Sequence, residues 1–288
     1  MTEGRHSATD ELGGRRALAS RAVATLLGCA VAVGSVLSSA CLPPRTPGSA
    51  SDEQKSLAEY DLAGDAFKNR RFRETIEHVQ QALKLNPDNA DAAYLGAAVM
   101  LAFCALDDRS SDCRLKEAEA YARKAVAAAP DHRDAKNALG VILINEQRYD
   151  EAIAVLRPLA DDIVYASPES AWGNLGWAYL LRGSVEEAID ALRRAVAVQP
   201  LFCVGQYRLG LAFEKKGDLG AARESFTKAV DTDQPQCKRL QDAFSARARV
   251  LARQGLRDEA RVDLERCRDM AHETPVGMRC AAQLQTYQ

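Results

Sequence analysis

The sequence predicts an all-α fold, a solenoid of about six helix-pair repeats, and three observations carry the prediction. Gly176, Ala188, Leu192 and Ala195 return 34 residues later as Gly210, Ala222, Phe226 and Ala229. Between such marks the apolar residues fall three or four apart, the period of one helical face. Gly183 and Pro200 stand where the two helices of a pair must stop. Units of this kind bury their apolar faces only against their neighbours, so they stack into one domain whose usual work is to hold another protein.

Each repeat is justified in turn. The first runs from Leu57 through Gly64, Thr75, Val79 and Ala82 to Pro87. The second carries Gly96, Ala118, Ala122, Ala125 and Pro130, with ten extra residues between its two helices, around Phe103 to Arg114. Leu139, Gly140, Leu143, Ala152 and Leu156 mark the third, and the stretch Asp161 to Pro168 lengthens the connection after it. The fourth, from Glu169 to Pro200, sets Trp172, Leu175, Gly176 and Tyr179 on one face of a first helix (A) and Ala188, Leu192 and Ala195 on one face of a second (B). Gly176 and Ala188 let the two helices approach, and the larger side chains fill the space around them. This copy resembles the tetratricopeptide consensus, which implies a right-handed superhelix. The fifth repeat follows in register, and a degenerate sixth reads through Phe244, Ala248, Leu251, Ala260, Leu264 and Cys267. The repeat body is thus expected over 57–272, with a closing segment at 273–288.

Residues 1–40 belong to another regime. Arg15, Arg16 and Arg21 precede an apolar run from Ala22 to Leu37, which ends on Ser38, Ser39, Ala40 and Cys41. A basic stretch, an apolar stretch and small residues describe an export signal too short for a stable membrane span. LSSAC resembles a bacterial lipobox, with Ser38 where Leu is usual. The resemblance implies lipidation of Cys41 as the mature N-terminus; the competing reading is a plain signal peptide cut elsewhere. Pro43, Pro44, Pro47, Gly48 and several Ser residues make 41–56 a candidate flexible tether. No Asp follows Cys41, which by general lipoprotein sorting points to the outer membrane, on its periplasmic face.

With Cys29 in the signal and Cys41 given to lipid, six cysteines remain: Cys104, Cys113, Cys203, Cys237, Cys267 and Cys280. An even set in an exported chain is most simply a disulfide set. Register selects among the pairings. Cys104 and Cys113 bracket the ten-residue excursion, Cys203 and Cys237 lie at equivalent ends of neighbouring repeats, and Cys267 and Cys280 flank the turn at Thr274 and Pro275. Metal is the weaker idea, because no CxxC pair exists and His78, His132 and His272 show no ligand spacing with the cysteines. Beyond residue 40 the chain carries 34 Lys or Arg against 37 Asp or Glu, a formal balance of −3. Interspersed, near-neutral charge argues against a nucleic-acid partner. No HExxH, GxSxG, phosphate loop or dinucleotide fingerprint occurs. The acidic pairs Asp150, Glu151 and Glu186, Glu187 sit at helix starts, where the helix dipole explains them. The chain reads as a non-enzyme without a cofactor.

The remaining candidate is the concave wall. In tetratricopeptide stacks four positions of each A helix point into it. Here they give Ala93, Ala97, Met100 and Leu101, then Asn137, Val141, Ile144 and Asn145, then Gly173, Trp177, Leu180 and Leu181. The first repeat offers Asp61, Asp65, Lys68 and Asn69, and the fifth Tyr207, Leu211, Glu214 and Lys215, so the middle is apolar and the ends polar. Such a stripe suits an amphipathic helix or an extended apolar peptide. The alternative is that Met100, Ile144 and Leu180 only pack against neighbouring A helices, or that the C-terminal segment folds over the stripe.

Taken together, an export signal ending in LSSAC and six repeats resemble the type IV pilus pilotin family, in its Tgl-like form. The likeness covers most of Leu57 to Leu264, and its most particular part is Asn137 to Ala188, where an excursion with Tyr165 and Pro168 precedes an NLG helix at Asn174 to Gly176. The resemblance implies an outer-membrane lipoprotein that binds secretin subunits of the type IV pilus and promotes their assembly for pilus biogenesis and motility. The runner-up is a periplasmic repeat lipoprotein that scaffolds cell-wall hydrolases or an outer-membrane assembly complex.

Overall fold

A computed structural model describes residues 49–106, 111–235 and 237–287. The described residues are mainly helical and contain no strand. Twelve helices pair in chain order: α1 (Ala50–Lys68) with α2 (Phe72–Leu85), α3 (Ala90–Leu106) with α4 (Leu115–Ala128), α5 (Arg133–Asn145) with α6 (Tyr149–Ala160), α7 (Pro168–Arg182) with α8 (Val185–Val198), α9 (Cys203–Lys216) with α10 (Leu219–Asp231), and α11 (Gln241–Arg253) with α12 (Arg257–Met270). A thirteenth helix, α13 (Pro275–Leu284), packs on α12 and α11. None of these helices is long and apolar enough to cross a membrane.

A sixteen-residue offset builds every pair but the second: a small residue on the A helix receives a large one from the B helix, and in the second pair, lengthened by its excursion, Gly96 meets Tyr121 instead. A Cβ on Gly176 would lie 2.6 Å from Leu192 Cγ, and one on Gly210 would lie 2.5 Å from the Phe226 ring. Leu192 and Phe226 are fully buried, each worth about 1.5–3 kcal/mol of apolar transfer. The A helix of the fourth pair then ends at Gly183, whose φ of 102° few other residues adopt without strain.

In the first pair the small residue is Ala63, not Gly64. Ala63 and Val79 are fully buried, whereas Gly64 has open space beside it and Leu57 is half exposed. The expected tether also ends sooner than residue 56. Ser49 caps α1 by accepting the Asp52 amide, acidic Asp52 and Glu53 favour its first turn, and buried Ser56 donates to the Ala82 carbonyl. Helix formation therefore begins at Ala50. The signal segment, Cys41 and the rest of the tether lie outside the described residues.

The excursions have local causes. α3 runs on to Leu106, and Phe103 packs edge-on against Phe72 of α2, ring centres 5.6 Å apart. α6 contains Pro158, whose missing amide weakens its last turn, and the following stretch is fastened to the body. Asp162 accepts from the Val164 amide and pairs with Arg133 at 2.7 Å, and buried Tyr165 donates to Asp134.

Disulfides join Cys104 to Cys113, Cys203 to Cys237 and Cys267 to Cys280, with Cα atoms 4.4, 5.8 and 6.1 Å apart. The first closes the α3–α4 excursion, the second joins the start of α9 to the turn before α11, and the third ties α12 to α13.

Candidate protein-binding groove

The wall is set by which helices touch between pairs. α1 contacts α3, α3 contacts α5, α5 contacts α7, α7 contacts α9 and α9 contacts α11, with no comparable B-to-B contact among the described residues. The stack therefore curves with its A helices inside. To pack side by side, each A helix must bury one stripe against the next A helix, and only the stripe beside it is left facing the hollow.

This division corrects part of the expected groove. Met100 is fully buried, and Ile144 and Leu180 are only 5% exposed, all three in the main core cluster. They hold neighbouring A helices together and are not available to a partner. Ala93, Ala97 and Gly173 are buried too. Leu101, Val141 and Trp177 are half-buried, Leu181 is 38% exposed, Asn137 is half-buried and Asn145 is exposed. The accessible apolar stripe is thus Leu101, Val141, Trp177 and Leu181, one or two residues from each of three successive A helices.

A polar line runs beside it. Asn174 Nδ2 donates to Asn137 Oδ1 at 3.0 Å, joining α5 to α7. Arg208 Nη1 donates to Asn174 Oδ1 at 2.9 Å and to the Gly173 carbonyl at 3.1 Å, joining α7 to α9, and its guanidinium lies 5.4 Å from the centre of the Trp177 ring. Burial pulls Arg208 down to about 10, still protonated at neutral pH. One end of α9 further on, Lys215 Nζ donates to the Leu180 carbonyl at 3.2 Å. Glu214 is claimed by two arginines of α11, Arg249 at 2.7 Å and Arg253 at 3.4 Å. Arg208 was not singled out from sequence, although the signal existed: it occupies the place of Asn174 one 34-residue period later.

The arrangement has the chemistry of recognition: an apolar floor, amide and guanidinium hydrogen bonds that link three successive A helices, and cations at the α9 end. The closing helix α13 leaves the stripe uncovered, since it packs on α11 and α12.

Tetratricopeptide-repeat models match residues 60–102 and 157–200, 113–163, and 205–235. No curated protein matches the sequence at a significant level. Among solved structures, the chain is similar to PilW, described as a widely conserved type IV pilus biogenesis factor, with a TM-score of 0.65 and 21% identity over 78% of this chain and 98% of that one. PilF of Pseudomonas aeruginosa superimposes with a TM-score of 0.63 and 17% identity, over 81% of this chain and 99% of that one. Human IFIT1, in a dimer with PPP-AAAA, gives 0.57 and 16% identity over 72% of this chain and 47% of that one. At these identities the likeness is one of fold.

Proposed function

Because the chain belongs to the tetratricopeptide-repeat family, we propose that it acts by binding rather than by catalysis, as a pilotin of the type IV pilus. In this reading Cys41 carries acyl chains at the periplasmic face of the outer membrane. One chain binds a bilayer marginally and several bind it stably. The concave wall captures a segment of a secretin subunit, and the anchor concentrates captured subunits at the surface where they assemble into a channel. The observation that carries the proposal is the accessible apolar stripe of Leu101, Val141, Trp177 and Leu181 at the middle of a wall whose ends are polar. Agreement in fold over nearly the whole length of PilW, described as a type IV pilus biogenesis factor, and of PilF supports a place in pilus biogenesis.

The test is a pull-down from detergent-solubilised envelope with the acylated chain and with Trp177→Ala. A secretin should accompany the parent chain, and the variant should retain less than about a tenth of it, the loss expected when a buried aromatic anchor is truncated. Recovery of cell-wall hydrolases in place of a secretin would select the scaffold reading, and equal recovery by both chains would remove the groove from the account.

A further inference from the structure

Arg208 and Lys215 are held in place by neutral oxygens. Arg208 rests on the Gly173 carbonyl, the Asn174 side chain and the face of Trp177, and Lys215 rests on the Leu180 carbonyl. Neither pairs with a carboxylate among the described residues, whereas the nearby Glu214 is shared by Arg249 and Arg253. The α9 end of the wall therefore carries a surplus of fixed positive charge. At the opposite end α1 presents exposed Asp61 and Lys68, and Asp65 pairs with Arg71 at 2.9 Å, so the charges there largely offset one another.

The spacing of the two free cations is informative. They lie seven residues apart on one helix, about 10.5 Å along its axis, and Leu211 stands between them on α9 as Trp177 does on α7. Both of these side chains are half-buried. A second helix lying along α9 presents side chains at i and i+7 with the same pitch, and those at i+3 and i+4 on the same face.

We propose that the α9 end of the wall receives an amphipathic helix of the partner whose two acidic side chains, two turns apart, sit on Arg208 and Lys215 while the apolar residues between them cover Trp177 and Leu211. The proposal rests on the concave wall being the partner site and adds the chemistry of what it takes. The guanidinium is already oriented and partly stripped of water, so a carboxylate supplies the counter-charge without a rearrangement.

The probe is a labelled, Ala-based helical peptide with Glu at i and i+7 and Leu at i+3 and i+4, titrated against the full chain by fluorescence anisotropy. Its twin carries Lys in place of both Glu residues. The Glu peptide should bind about tenfold more tightly at low salt, and the advantage should shrink in 0.5 M NaCl. Arg208→Gln and Lys215→Gln should each lower the affinity for the Glu peptide about threefold or more, with helical circular dichroism unchanged. Lys215 is exposed, so its variant stands as the test if Arg208→Gln disturbs the fold. Equal affinity for the two peptides, no binding by either, or a Glu preference that survives both variants overturns the proposal. If that preference is absent while Trp177→Ala still loses the secretin, the charge recognition falls and the groove stands.

Discussion

Leu180 and Trp177 lie three residues apart on one helix and do opposite work. Leu180 is sealed between A helices, whereas Trp177 shows part of its ring to the hollow. Substituting Glu for Leu180 places an unpaired carboxylate among apolar side chains, which costs several kcal/mol, roughly 3 or more. Leu180→Glu is therefore expected to lower the thermal midpoint sharply, and Trp177→Ala to lower it only slightly while abolishing secretin capture. Thermal melts of the two variants, run beside the pull-down, check the pair. Equal melting temperatures would contradict the division of the A-helix face into a packing stripe and a docking stripe. The same division explains what the sequence left hidden. Position within the repeat identifies side chains that point inward, but Met100, Ile144 and Leu180 point inward and meet another helix. Nothing in a single helix records how closely its neighbour approaches.

At the scale of elements, two devices fasten neighbouring helices, and each gives a measurable consequence. The Cys203–Cys237 bond spans 34 residues, one full period, and so links equivalent ends of the last two pairs. Replacing both cysteines with Ser is expected to cost about 2–4 kcal/mol, the loss of loop closure in the unfolded chain. Urea unfolding of the variant should show a lower midpoint, and reductant, which opens all three disulfides, should lower the parent's midpoint at least as far. The second device is an ion network between α4 and α6. Burial works against the Glu119 carboxylate, but hydrogen bonds from Arg148 and Arg123, with their charges, outweigh it and hold Glu119 down at about 2. Its unfolded value is about 4.3, so the network favours the folded chain fully above that pH and is lost as the pH falls toward 2. Arg148→Met should move the acid-unfolding midpoint to higher pH within that window, as followed by circular dichroism. An unmoved midpoint would mean the network contributes nothing to the stack.

Most of the element order was legible in the sequence because the packing rule is local. Gly140 and Leu156, Gly176 and Leu192, and Gly210 and Phe226 are each sixteen apart, and each pair meets in the structure. The first repeat misled because Gly64 stands beside Ala63, and a glycine is the more conspicuous small residue although Ala63 fits the offset to Val79. The early start of α1 was hidden by the proline-rich stretch before it, although Ser49, Asp52 and Glu53 already spelled a helix start. The excursion at Asp161 to Ser167 was visible as extra length. Its fastening through Asp162 and Tyr165 depends on Arg133 and Asp134, about thirty residues away in sequence, and required coordinates.

For the whole molecule, the stack is nearly one-dimensional: each pair touches its neighbours, and the α13 end is closed over Phe244, Leu251 and Leu264. Such a body is stable without a single central core and leaves one long inner wall for a client. The wall runs from mixed charges at α1 through Leu101, Val141 and Trp177 to the cations Arg208 and Lys215 at α9. The central claim is that a secretin segment lies along this wall and nowhere else on the stack. Site-specific photo-crosslinking in living cells tests it most directly, with the reactive side chain placed at Leu181 on the inner wall or at Glu187 on the exposed face of α8. The account predicts a crosslinked secretin subunit from Leu181 and none from Glu187; a secretin crosslink from Glu187 with none from Leu181 would contradict it.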